Sequence, residues 1–196
     1  TLAASMLNAI SRNEKQGTLE GRLFEVASIY IPESLPLTSY PDERKVLCVG
    51  TFGNNESFFT MKGIANGIAD SLDVAFTYEP IQKSFLHPYQ AVKVLCEGTE
   101  IGYFGKAAYD IQNELSMRTS AYIMELDLKE LSRWYGKKRT FQPISKFQEE
   151  KRDLAFVMDK NISCGDVENC IREANKYVKE IRLFDVYEAK EIEKLG

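Results

Sequence analysis

Lys151-Arg-Asp-Leu-Ala-Phe-Val-Met-Asp159, then Ser163-Cys-Gly-Asp166, then Glu180-Ile-Arg-Leu-Phe-Asp-Val-Tyr187 reads as strand, helix and strand. Leu154, Phe156 and Met158 alternate with Ala155 and Val157, so the first strand is apolar on both faces, the pattern of a buried strand. Ser163 with Asp166 three residues on forms a capping box that uses the shorter acid, which starts a helix at Cys164. Its apolar stripe is Val167, Cys170, Ile171 and Ala174, and it delivers the chain to a second strand over residues 178–186, parallel to the first through a right-handed crossover. A lone βαβ unit leaves strand edges and one sheet face uncovered. Thr1 stands in what reads as a helix and Gly196 closes the chain abruptly, so the sequence is expected to be a piece of something longer, with residues 188–196 frayed or paired with another chain.

Upstream the pattern is different. Leu2, Met6, Leu7 and Ile10 recur at helical spacing and stop near Gln16-Gly17. Residues 22–31 are apolar, β-branched and aromatic before Pro32, which predicts a buried strand, and residues 45–51 predict another. Phe58, Met61, Ile64, Ile68 and Leu72 fall on one helical stripe, with Gly63 and Gly67 four apart on the same helix as a place for another backbone to approach. Strands follow at 74–78 and 91–96, the latter turning through Glu97-Gly98-Thr99 into a return arm at 100–104. A short helix over 106–115 and a strand over 121–128 complete this part. Hairpins mixed with helices, rather than strict βα alternation, predict an α+β fold with a largely antiparallel sheet and helices on one face. A basic, polar stretch before Pro143 marks a boundary, giving units 1–142 and 143–196.

Composition narrows the function classes. The chain is 44% hydrophobic and 28% charged, and no run of about 18 apolar residues offers a membrane span, so a soluble cytoplasmic protein is expected. The net charge of −4 is shared by both units, so neither has the overall basicity of an autonomous nucleic-acid binder. Cys48, Cys96, Cys164 and Cys170 form no CxxC pair, and reduced structural thiols are expected.

Candidates for chemistry are few. His87, in Phe85-Leu-His-Pro88, is the single histidine, and before proline it reads as a hydrogen-bonded turn residue rather than a proton shuttle. Cys164 reads as the first residue of its helix rather than a nucleophile. No GxxxxGK[ST] or GxGxxG loop is present, and Asp42-Glu43, Glu149-Glu150 and the acids of 188–193 read as solvated surface rather than a metal site. Lys137, Lys138, Arg139, Lys146, Lys151 and Arg152, interleaved with Phe141 and Phe147, form a basic cluster at the boundary that reads either as a solvated linker or as an RNA contact.

Pro143-Ile-Ser-Lys-Phe147, Arg152-Asp-Leu-Ala-Phe156, Gly165-Asp-Val167, Ile171-Arg-Glu-Ala174 and Arg182-Leu-Phe-Asp-Val-Tyr187 resemble the opening of the ferredoxin-fold anticodon-binding domain that ends the bacterial phenylalanine-tRNA ligase beta subunit. Arg22-Leu-Phe-Glu25, Phe58-Phe-Thr-Met-Lys-Gly63, Phe85-Leu-His-Pro88, Ile101-Gly-Tyr-Phe-Gly105 and Tyr122-Ile-Met-Glu-Leu-Asp-Leu128 are similar, in order and spacing, to the catalytic-like module of the same subunit. Gln148 and Ala189 stand where that family commonly has proline and glycine.

The resemblance implies a class II synthetase-like antiparallel sheet with flanking helices, followed by the βαβ opening half of a ferredoxin-like domain. It implies a non-catalytic part of an enzyme whose alpha subunit activates phenylalanine with ATP and magnesium. This chain is expected to bind no cofactor or metal itself and to have as partners the alpha subunit and tRNA(Phe), with no membrane. A working class II site holds Arg and Glu two apart on one strand face; Arg22 and Glu25 are three apart and so should point oppositely. No glycine-rich, arginine-ending motif follows, Lys106 standing after Gly105 without that context. No catalytic residue carries over, and Lys146, Lys151 and Arg152 carry over as tRNA contacts. The alternatives are a generic α+β protein-interaction domain and a stand-alone ATP-dependent acyl or aminoacyl transferase.

Overall fold

The structure is a computed structural model describing residues 1–135, 146 and 148–187. The predicted basic boundary and the tail expected to fray fall mostly or wholly outside these residues. The chain divides into two units, Thr1–Phe141 and Gln142–Gly196.

The first unit is a six-stranded antiparallel sheet built from β1 (Gly21–Ile31), β2 (Asp42–Phe52), β3 (Phe76–Pro80), β4 (Leu86–Cys96), β5 (Thr99–Ala107) and β6 (Ala121–Asp127). Its order is β1-β2-β6-β5-β4-β3, so β1 and β3 are the edges. Four helices accompany it: α1 (Ala3–Lys15), α2 (Phe58–Leu72), α3 (Tyr109–Glu114) and α4 (Leu128–Ser132). They flank both faces, not the single face the sequence suggested. The alternation of strand side chains makes two cores. Val49, Val94, Phe104, Tyr122, Met124 and Leu126 meet α2 and α4 through Met61, Ala65 and Leu131. On the other face Cys48, Phe52, Ala107, Ala121 and Ile123 meet Met6, Leu7 and Ile10 of α1. A sheet whose middle strands are apolar on both sides needs both faces covered, and the second apolar set on β2 and β6 is what α1 buries.

Other expectations are met or corrected locally. Helix α1 has the predicted apolar stripe and is fastened toward its C-terminal end: Ser11 Oγ donates to the Leu115 carbonyl at 2.7 Å, and buried Glu14 accepts from Arg118 N at 2.8 Å and Thr119 N at 3.0 Å. Strand β1 is not buried: Phe24 is 77% exposed, because an edge strand has one neighbour and the covering helix reaches only part of it. On α2 the predicted stripe packs on the core, Met61 within it and Phe58, Ile64, Ile68 and Leu72 against it, while Ala65 and Ala69 are buried beside them, and positions 63 and 67 face open space rather than another backbone. The helix predicted over 106–115 is shorter, since β5 runs through Lys106 to Ala107 before the chain turns. Helix α4 has no forecast in the sequence; Asp127 caps it, its Oδ1 accepting from Lys129 N at 2.8 Å and Glu130 N at 3.2 Å.

In the second unit α5 (Cys164–Ala174) begins where the capping box places it: Ser163 Oγ accepts from Asp166 N at 3.1 Å and the Asp166 carboxylate accepts from Ser163 N at 3.3 Å. The flanking strands expected at 154–158 and 178–186 carry no ladder pairing among the described residues, and α5 has no buried residue. The cause is visible in the side chains. Leu154, Val157, Leu183, Phe184 and Val186 remain more than half exposed, so the apolar surface that would reward pairing is not being buried. Among the described residues no helix is long and apolar enough to cross a membrane.

Candidate functional site

Two polar rows cross the first sheet, one on each face, because residues directly opposite on neighbouring strands share a face. On the α1 face the register aligns Glu25, Cys48, Glu125 and Tyr103 on β1, β2, β6 and β5. On the α2 face it aligns Arg22, Thr51, Tyr122 and Lys106 on the same four strands. Arg22 and Glu25 therefore lie on opposite faces, as their spacing requires.

The first row is consumed by structure. Leu2, at the N-cap of α1, gives no side-chain cap, and Glu125 replaces it from the sheet. Its carboxylate accepts from Ala3 N at 3.0 Å, from Thr1 Oγ1 at 2.8 Å, and in short bonds from Leu2 N and the Tyr103 hydroxyl. A carboxylate at the positive end of a helix, 6% exposed and with four donors, is held in place rather than free to react. Burial, then the bond to Glu125, pushes the Tyr103 phenol well above its ordinary range. The neighbouring Cys48 thiol is pushed up to about 12, first by burial and then by Glu125 and Glu25, so it stays a thiol at neutral pH. Cys48 and Cys96 are buried and no cysteine is in a disulfide.

The second row differs. Arg22 Nε pairs with Glu56 Oε1 at 2.9 Å, the acid being largely buried just before α2. Thr51 Oγ1 and Glu56 Oε2 are buried with no hydrogen-bond partner among the described residues. Lys106 is 9% exposed. His87, beside this row on β4, accepts from Tyr89 N at Nδ1 at 3.2 Å, the turn-type bond expected of it.

These residues do not fit ATP held for amino-acid activation. That chemistry needs a cation on the phosphates and an acid on the amino group within one cleft, but Arg22 is committed to Glu56 and Glu25 is across the sheet. On Glu25's own face α1 lies directly on the strands, a Cβ at Gly50 meeting Met6 Cγ at 2.7 Å. On the other, the opening of about 340 Å³ beside β1 is walled by Leu23, Phe24, Leu47, Val49, Ile64 and Ile68, with Arg22, paired to Glu56, at its lining. Apart from Arg22, whose Nε is engaged by Glu56, that wall offers no side-chain donor to a triphosphate.

The three basic residues carried from the sequence lie in the second unit. Lys146, Lys151 and Arg152 are exposed. Arg152 Nη2 contacts Glu150 Oε1 at 2.5 Å with both side chains more than 70% exposed, a pairing that water and salt weaken. Lys179 Nζ contacts Glu149 Oε1 at 2.7 Å and, by that bond first, with Lys151 adding its charge, lowers the Glu149 pKa. Acids and bases thus alternate in this stretch. The residues that sequence reasoning missed are Glu125 and Thr51, whose roles are set by cross-strand register and leave no local signal.

Comparison with known proteins agrees with this geometry. Residues 1–128 match the family model of the phenylalanyl tRNA synthetase beta chain CLM domain, and residues 145–195 match that of the ferredoxin-fold anticodon binding domain. Among curated relatives, the phenylalanine-tRNA ligase beta subunit of Bacillus subtilis is 30% identical over 98% of this chain and 25% of its own length. That of Clostridium tetani is 29% identical over 98% of the chain and 24% of its own length. The chain therefore spans about a quarter of the length of these relatives. Among solved structures, pyrrolysyl-tRNA synthetase from Desulfitobacterium hafniense shares the fold, with a TM-score of 0.54 at 15% identity over 67% of this chain and 47% of that one. An α+β sheet of class II synthetase type, with Arg and Glu on opposite faces, is what residues 1–128 contribute, and the chain belongs to the phenylalanyl-tRNA synthetase beta chain family.

Proposed function

We propose that this chain is a non-catalytic part of a phenylalanine-tRNA ligase beta subunit, serving assembly with the alpha subunit and binding of tRNA(Phe) while the whole enzyme attaches phenylalanine to tRNA in the cytoplasm. ATP and magnesium act in the alpha subunit, and this chain binds neither. The observation that carries the reading is the separation of Arg22 and Glu25 onto opposite faces of a retained class II sheet. Keeping the scaffold without the acid and base arrangement fits a role in which the fold is used for its surfaces.

The surfaces suit that role. Phe24, Val26 and Tyr30 on β1 and Leu35, Leu37 and Tyr40 in the loop after it are all at least 48% exposed, an apolar display of the kind that marks a protein interface. Lys146, Lys151 and Arg152 fall at the start of the stretch matching the anticodon-binding model, where cations meet phosphates. A stand-alone transferase is disfavoured by the same separation of Arg22 and Glu25. A generic interaction domain is separated by its partner: mixing with purified alpha subunit of a bacterial relative should shift this chain to a faster-sedimenting species and raise its melting temperature. No change in either would remove the assembly role.

A further inference from the structure

We propose that the first unit carries an RNA-contact site of its own, formed by Lys106, Tyr109, His87 and Tyr89 at the end of the second polar row. The inference rests on the tRNA-binding reading and names contact residues in a unit for which the sequence resemblance carried over none. Leu86 and Ala107 pair across β4 and β5 and are both buried, so their neighbours His87 and Lys106 alternate to the opposite side. Pro88 follows His87, and the ladder shifts register between Leu86 and Ala91, which brings Tyr89 outward to 91% exposure. The Lys106 stem is buried and its ammonium lies 4.8 Å over the Tyr109 ring and 3.5 Å from the Tyr109 hydroxyl. The His87 ring stands 5.3 Å from the Tyr109 ring, nearly perpendicular to it, and 6.2 Å from the Tyr89 ring.

Two features point to a ligand. Among the described residues no carboxylate forms an ion pair with Lys106, although a cation nine-tenths buried ordinarily has one, and a single phenol uses one of its three donors. Asp110 is adjacent in sequence, but its Oδ1 accepts from Ile111 N at 3.0 Å. The second feature is the pair of exposed rings, Tyr89 and Tyr109 at 60%, flanking an imidazole whose Nδ1 is occupied as an acceptor, which leaves the ring proton on Nε2 as a donor. A cation without a counter-charge, a second donor and stacking faces, each 4.8 to 6.2 Å from the next, match one nucleotide step of single-stranded RNA, phosphate on Lys106 and His87 and base on Tyr89. A protein partner would satisfy the lysine with a carboxylate and leave the upright rings without a use.

The test is anisotropy of a fluorescein-labelled octauridylate titrated with the full chain at several salt concentrations. Tyr89→Ala, which touches no core, should weaken binding by about tenfold. Lys106→Met, which keeps the buried stem, should lower the slope of log affinity against log salt by about 0.7, one phosphate contact. Equal binding by the native chain and both variants would overturn the site. Loss confined to Lys151→Ala and Arg152→Ala would also overturn it while leaving tRNA binding by the second unit intact. Absence of octauridylate binding, with an oligoglutamate bound through Lys106, would replace it with an acidic protein partner and leave assembly with the alpha subunit standing.

Discussion

Replacing Gly102 with alanine is expected to destabilise the first unit by about 4 kcal/mol, among the largest effects a single methyl can have. Gly102 sits in β5 at φ +158, where the register against β4 shifts between Val94 and Leu95. A Cβ there would stand 2.0 Å from the Glu125 carbonyl oxygen and 2.9 Å from Leu126 Cα. Those atoms belong to β6, which is hydrogen-bonded to β2 on one side and β5 on the other, so it has no free side toward which to yield. The strain of the backbone conformation, roughly 1 to 3 kcal/mol, adds to that of the collision. Gly98 separates the two contributions: it too has positive φ, +78, but nothing lies within 4 Å of its Cβ position, so Gly98→Ala should cost only the conformational part. Urea unfolding followed by fluorescence of Trp134, which packs against the core under α2 and α4, reads the difference. Equal midpoints for the two variants would contradict the account of the bulge.

Removing the Glu125 side chain should be nearly as damaging. Glu125→Ala takes the acceptor from Leu2 N and Thr1 Oγ1 and leaves Ala3 N and the Tyr103 hydroxyl only the Thr1 Oγ1, at 3.2 and 3.3 Å, and each buried donor left unsatisfied costs about 1 to 3 kcal/mol. Water entering beside the partly exposed Thr1 offsets some of this, and a net loss of about 3 kcal/mol is expected, lowering the melting temperature by roughly 10 °C. Glu125→Gln keeps one acceptor oxygen but loses the charge at the helix N-terminus, and should fall between the native chain and the alanine variant. If both variants melt with the native chain, the carboxylate is not what holds α1 to the sheet.

How much of this was legible depended on whether the controlling contact was local. Helix α1, helix α2 and the Ser163–Asp166 box announce themselves within a few residues, because apolar spacing and cap chemistry act over one or two turns. The exposure of β1 was not legible: Phe24 and Val26 look like core residues until the strand is known to be an edge. Glu125 reads as one acid in an apolar strand, and its duty is set by contacts more than a hundred residues away in sequence. The approach of both Lys106 and His87 to Tyr109 likewise depends on β4 and β5 being paired rather than on either motif. The flanks of α5 carry a strand's composition, but composition supplies propensity and a ladder also requires a partner.

The opposed placement of Arg22 and Glu25 did follow from counting, since a three-residue step on a strand must change face. It also carries the functional conclusion. The most direct test is phenylalanine-dependent exchange of pyrophosphate into ATP, measured with this chain alone and again with alpha subunit added. The chain alone should give no exchange above a protein-free blank. Phenylalanine-dependent exchange by the chain alone, abolished by Arg22→Ala, would contradict the account.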